Sequence, residues 1–141
     1  MTTYPELLNR YKKKHGKFKE PRQGWSSLHH SLQLAYSMGI VRGFTDLGTY
    51  VNKPGDHGWD DANEMAAAFD LGRKDRFLFK GWGYIKARRL AKLLWENHIA
   101  LGIEYIILGK KIISREHPTW QPFTRDSSHM FHIHVSGHIA H

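Results

Sequence analysis

The chain alternates between apolar patterns of helical and of strand period, and these divide it into predicted elements. Thr3-Tyr4-Pro5-Glu6 has the form of a capping box with Pro in the first turn. Leu7, Leu8 and Tyr11 continue at helical spacing, and Gly16 is the predicted stop. A basic loop runs to about Gln23. Ser26 or Ser27 is placed to cap a second helix whose apolar face is Leu28, Leu32, Ala35 and Tyr36, with Gly39 closing it. Ile40–Phe44 reads as a short strand. Residues 45–64 are rich in Gly, Asn, Pro and Asp and read as a long loop, with at most one helical turn. Ala67–Leu71 fits strand and helix equally. The strongest helical pattern is Gly83–His98, with Ile85, Leu90, Leu93 and Leu94 as its apolar stripe. Ile103–Leu108 and Lys111–Arg115 then read as two strands of a hairpin joined at Gly109-Lys110. A loop carrying Pro118, Trp120 and Pro122 leads to a last strand, Phe131–Ser136. With helices first and strands gathered at the end, the expected class is α+β, a small antiparallel sheet flanked by helices.

At 141 residues the chain is expected to form one domain, 1–141, with residues 1–39 a helical N-terminal extension packed on it. The absence of cysteine excludes disulfides, zinc-thiolate sites and cysteine nucleophiles, so a metal would have to be held by His, Asp or Glu. No apolar run reaches the length of a membrane span, and Met1–His15 has no signal-peptide core. The expectation is a chain made in the cytoplasm that reaches any extracellular target by release or delivery. The formal charge of +8 points to anionic partners or to solvated helix surfaces. Seven Lys or Arg fall between Arg10 and Arg22, and Lys86, Arg88, Arg89 and Lys92 form a second group.

Two features carry chemistry. The first is His129-Met130-Phe131-His132-Ile133-His134-Val135-Ser136. On a strand, His132 and His134 share one face while Phe131, Ile133 and Val135 share the other, and His129 lies close upstream. Two imidazoles on one face with apolar residues behind them present nitrogens to a metal. The second is an acidic island in a basic chain. No Lys or Arg lies between Lys53 and Arg73, while the same window holds Asp56, His57, Asp60, Asp61, Glu64 and Asp70. A divalent cation offsets repulsion among carboxylates. His57, Asp70 and His134 together would make a His-Asp-His set with a fourth position open, the usual form of a catalytic zinc site. Asp60 and Asp61 remain alternatives to Asp70.

These residues, in order, resemble a known group. Asp56-His57, Ala68-Phe69-Asp70-Leu71, Glu104-Tyr105-Ile106-Ile107-Leu108, Trp120, and His129-x-x-His132-x-His134-Val135-Ser136 resemble the zinc peptidases of the Hedgehog/D-Ala-D-Ala-peptidase superfamily. The His-x-x-His-x-His ending is similar to the murein endopeptidase branch. The full order is similar to small peptidase-like domains of phages of actinobacteria and their hosts. The resemblance spans residues 40–136. It implies zinc (Zn2+) held by His57, Asp70 and His134, His132 beside the bound water, and His129 as a further active-site histidine. Two departures stand out. The family pattern Ser-x-His-x-x-Gly-x-Ala-x-Asp holds its His and Asp closer together than His57 and Asp70, which are thirteen positions apart, and this implies a loop insertion. Carboxypeptidase relatives place a glutamate base three residues before the last His, where this chain has Phe131.

The activity implied is hydrolysis of a peptide bond in a peptidoglycan stem or crosslink, as in an endolysin or virion-associated lysin. Zinc lowers the pKa of bound water toward ~7. An imidazole, with an ordinary pKa of about 6.5, suits the proton transfers, which fall to His132. His129 would support the oxyanion, Ser136 would orient the site, and Arg42 is a candidate for binding a substrate carboxylate. Trp59, Trp82 and Trp120 are candidates for a groove. The rival within the same fold is an inactive virion, tail or wall-binding protein, with other virion proteins as partners. Nucleic acid is the weakest expectation, since the chain has no zinc-finger, RNA-recognition or helix-turn-helix pattern.

Overall fold

A computed structural model describes residues 2–49, 67–72, 81–123 and 132–137. Among them are four helices and six strands. They are α1 (Tyr4–His15), α2 (Gln33–Ile40), β1 (Thr45–Gly48), β2 (Ala68–Gly72), α3 (Gly81–Glu96), α4 (His98–Leu101), β3 (Ile103–Leu108), β4 (Lys111–Ser114), β5 (Gln121–Pro122) and β6 (Ile133–Gly137). The strands form one sheet in the order β1-β2-β6-β3-β4-β5, antiparallel at every pairing. The class is α+β, as expected.

The first helix forms as its sequence dictates. Thr3 caps it: its Oγ1 accepts from the Glu6 N–H (3.4 Å), the first bond of a capping box, and donates to Glu6 Oε1 (3.2 Å), so the return contact is between side chains. Gly16, at φ 76°, closes the far end with its N–H on the Lys12 carbonyl. Leu7 and Tyr11 are its buried face. Tyr11, Phe18 and Trp25 then form a chain of edge-to-face ring contacts, 5.6 and 6.2 Å between centroids. They anchor the basic segment after the helix. Two buried side chains hold that segment's backbone: Ser37 Oγ accepts from Lys19 N–H and Asp46 Oδ2 from Arg22 N–H, both at 3.0 Å.

The second helix starts later than its pattern suggested. Trp25–Ser27 and His30–Leu32 are single 3-10 turns, and the α-helix begins only at Gln33. His29 is the reason, because its Nδ1 accepts from the Ser31 N–H and tightens the chain there. Leu34 through Gly39 are all buried, so α2 is enclosed on every side rather than amphipathic. Gly39 lets it approach the sheet closely: a Cβ there would overlap Leu71 Cδ1.

Four other expectations are corrected. Ile40–Phe44 is no strand, because α2 runs through Ile40 and a turn follows; the Val41, Arg42 and Gly43 N–H groups bond back to the last helical carbonyls. The strand lies just after it, at Thr45–Gly48, inside the stretch read as loop. Asp46 misled the reading, because a carboxylate pointing into a core looks like a turn residue. It accepts from Tyr36 Oη (2.8 Å), Arg22 N–H and Gly48 N–H (2.8 Å), and those bonds make its burial tolerable. Third, the buried stripe of α3 is Ala87, Leu90, Ala91 and Leu94, with Leu93 half-buried and Ile85 exposed. The alanines let the helix sit close to β3, which turns Ile85 outward. Fourth, the loop with Pro118, Trp120 and Pro122 contains β5, a two-residue edge strand where Pro122 needs no ladder N–H. The ambiguous Ala67–Leu71 segment is strand β2, and the hairpin turns at Gly109 (φ 62°) as expected.

One apolar cluster joins α1, α2, α3 and the sheet. It includes Leu7, Tyr11, Leu28, Leu32, Tyr36, Leu90, Leu94, Phe69, Leu71, Ile106, Ile133 and Val135. The residues alternating with the last five face the other side of the sheet, and the functional candidates stand there.

Candidate functional site

The antiparallel register sets Asp70 of β2 opposite His134 of β6, with Leu71 opposite Ile133 and Phe69 opposite Val135. Leu71, Ile133, Phe69 and Val135 face the helices, so Asp70 and His134 share the opposite face. His134 is flanked on its other side by Ile107 of β3, and the next row is Ala68, Ser136 and Tyr105. His132, immediately before β6, has the same parity as His134.

Three side chains converge there. Nδ1 of His134 lies 2.9 Å from Oδ1 of Asp70, and Nε2 of His132 lies 3.5 Å from the same oxygen. His134 is buried, and Asp70 and His132 keep 20% and 14% of their side-chain surface. The imidazole plane of His134 is further fixed by Tyr105, whose ring stacks at 5.5 Å and 22°. Ser136 is buried on the same face two residues on. Neighbouring strands therefore hold the cluster rigidly, with a small opening to solvent.

Tetrahedral zinc ligands at ordinary Zn–N and Zn–O lengths lie about 3.3 Å apart, whereas the 2.9 Å between His134 Nδ1 and Asp70 Oδ1 is the length of a hydrogen bond. The donors are imidazole nitrogen and carboxylate oxygen, which zinc accepts. Among the described residues, no group of three or more His, Asp or Glu is placed to hold a metal ion. A complete ligand set would therefore draw on a further residue. His57, Asp60, Asp61 and His129 all lie outside the described residues, as does Trp59.

Arg42 stands elsewhere. Its Nη1 donates to the Met38 carbonyl at 2.8 Å, at the end of α2, and burial lowers the pKa of its guanidinium from the ordinary value. It lines a separate cavity of about 340 Å3 with Phe44, Lys86, Arg89, Leu90 and Leu93. Trp120, 39% exposed, lines another groove against α3. Sequence reasoning assigned no role to Tyr105. The signal was cross-strand register, since once β3 lies beside β6 a Tyr at this parity falls diagonal to His134.

No family description, curated protein or solved structure matches this chain. No helix among the described residues is long and apolar enough to cross a membrane.

Proposed function

We propose that this chain is a zinc-dependent peptidase that hydrolyses peptide bonds of bacterial peptidoglycan, in the manner of the Hedgehog/D-Ala-D-Ala-peptidase superfamily that its motifs resemble. The observation that carries the reading is the meeting of Asp70, His132 and His134 on one face of an antiparallel sheet. It brings the separated Ala-x-Asp and His-x-His motifs within hydrogen-bond range.

In this reading Asp70 and His134 are two of the ligands and His57 is the third. Bound there, zinc supplies Lewis-acid polarisation of the scissile carbonyl and a more acidic water. The chain does the rest. Tyr105 and the β2–β6 register hold the His134 ring in place. His132 Nε2, at the rim of the cluster, takes a proton from the attacking water and returns it to the leaving amine. His129 stabilises charge on the carbonyl oxygen. Ser136 backs the site, and the product is a new amine and a new carboxylate. The substrate is a stem or crosslink peptide, met at the cell wall after lysis or delivery, or from within a phage particle.

The test is metal analysis after controlled reconstitution, with cleavage of defined muropeptides read as new amines. The expected result is about one zinc per chain and turnover. His134→Ala loses both; His132→Ala keeps zinc and loses turnover. Absence of bound zinc after reconstitution overturns the site, and zinc without turnover favours a wall-binding protein of the same fold.

A further inference from the structure

On the helix-covered side of the sheet, away from the Asp70–His134 face, α3 and the β3–β4 hairpin enclose a groove of about 440 Å3. One wall is Tyr84, Ile85, Arg88, Arg89 and Lys92, a single face of α3 about 12 Å long. The other is Leu108, Lys111 and Trp120. Leu108 and Lys111 have the parity of Ile106, which faces the helices, so this groove and the candidate metal site open on opposite faces. Arg89 also lines the adjoining cavity with Lys86 and Arg42. The two cavities thus share a residue, and Lys111, Lys92, Arg88, Arg89, Lys86 and Arg42 form one cationic track across α3. No Asp or Glu is among the described lining residues of either cavity. Lys92 meets Glu96 only at 3.8 Å, with both side chains mostly exposed, a pair too weak to cancel the track.

We infer that this track binds an anionic wall glycan whose repeating units are linked by phosphodiesters. A small anion would need one cation pair. Six cations spread over two adjoining cavities fit a polymer with charge recurring along its length. Trp120 and Ile85, 39% and 40% exposed, give the two walls apolar surface, and the Trp120 ring can stack on the C–H face of a sugar. Single-stranded nucleic acid needs successive open aromatic planes. Here the Arg88 guanidinium lies over the Tyr84 ring at 5.8 Å, so Trp120 is the one open plane among the described lining residues. Peptidoglycan carboxylates sit on the stem peptides rather than along a strand, which favours phosphate. The assignment of the glycan to the cell wall rests on the peptidase reading, while the track itself does not.

The experiment is sedimentation of the full chain with Gram-positive sacculi that carry phosphodiester-linked glycans. The same sacculi stripped of those glycans by hydrofluoric acid provide the comparison. Wild type is expected to bind native sacculi in a salt-sensitive manner and to lose binding roughly tenfold on stripping. The combined variant Arg88→Gln, Arg89→Gln, Lys92→Gln is expected to lose native binding by a similar factor and to respond little to stripping. Its cleavage of a soluble muropeptide should equal that of wild type. Lys92→Gln with Lys111→Gln, on separate elements, gives the same readout should the first variant misfold by circular dichroism. Equal binding to stripped sacculi, or unchanged binding by folded variants, overturns the inference. So does tighter binding to a single-stranded oligonucleotide of about twelve nucleotides, which assigns the track to nucleic acid. Phosphate-dependent sedimentation without muropeptide cleavage by wild type leaves the track standing and overturns only the peptidase reading.

Discussion

Asp70→Asn tests separately the hydrogen bond that Asp70 makes to His134 and the zinc-ligand role proposed for it. Asp70 accepts a hydrogen bond from His134 Nδ1 at 2.9 Å with both groups largely buried. Asparagine keeps an acceptor oxygen at that position and loses the charge. Charged hydrogen bonds contribute about 1.5–3 kcal/mol and neutral ones about 0.5–1.5, so the metal-free variant should be destabilised by about 1 kcal/mol. For a chain of this length that is a Tm lower by ~3–4 °C. As a zinc ligand, the amide oxygen is far poorer than a carboxylate, and a hundredfold weaker affinity is a conservative expectation. With free zinc at about a thousand times the wild-type Kd, binding stabilises wild type by about 4 kcal/mol and the variant by about 1.4 kcal/mol. Differential scanning calorimetry with and without zinc should thus show a rise of about 14 °C for wild type and about 5 °C for Asp70→Asn. A zinc-induced rise of the same size in both proteins refutes the ligand role of Asp70 and moves attention to Asp60 or Asp61. No rise in wild type refutes the metal centre.

Three further predictions concern the scaffold. Tyr36→Phe leaves buried Asp46 with two donors, both backbone N–H groups, in place of three and should cost about 1.5–2 kcal/mol near neutral pH, measured by urea unfolding. Burial first, then the hydrogen bond to Asp46 and its charge, raise the Tyr36 pKa above its ordinary value. Its stabilisation is therefore complete below about pH 10 and is lost as pH rises further, so Tm should fall on the alkaline side less steeply in the phenylalanine variant. Gly39→Ala should destabilise by about 1–2 kcal/mol despite the better helix propensity, because its methyl overlaps Leu71. Pairing it with Leu71→Val should recover part of that loss in the same assay. Thr3→Ala removes the cap bond from the Glu6 N–H and the side-chain bond to Glu6, and should cost about 1 kcal/mol, visible as reduced ellipticity at the fraying end of α1.

The parts of the fold that were legible are those whose determinants are local. The α1 capping box, the Gly109-Lys110 hairpin and the period-two strand from Ile133 all declare themselves within a few residues. The parts that were not legible depend on partners distant in sequence. Asp46 belongs to a strand only because Tyr36 and the Arg22 backbone are there to bond it. Ala87 and Ala91 outrank Ile85 at the core only because a sheet lies close enough to reward small residues. The same distinction runs through the candidate site. The parity of His132 and His134 is local and could be read directly; their meeting with Asp70 needed β2 to be a strand paired with β6, and its own five residues fit helix or strand equally. Tyr105 needed β3 on the other side of β6. The cationic track shows the distinction from the opposite direction. In the sequence, Lys86, Arg88, Arg89 and Lys92 fit an anionic partner or a solvated helix surface, since their spacing says nothing about what stands opposite. It is Trp120 and Lys111 across one groove, and Arg42 across the next, that turn a charged helix face into a surface with walls. Arg42 changes meaning by the same logic: as a single residue before Gly43 it was a candidate for one carboxylate in the active site, whereas beside Lys86 and Arg89 it is one end of a longer anion-binding surface.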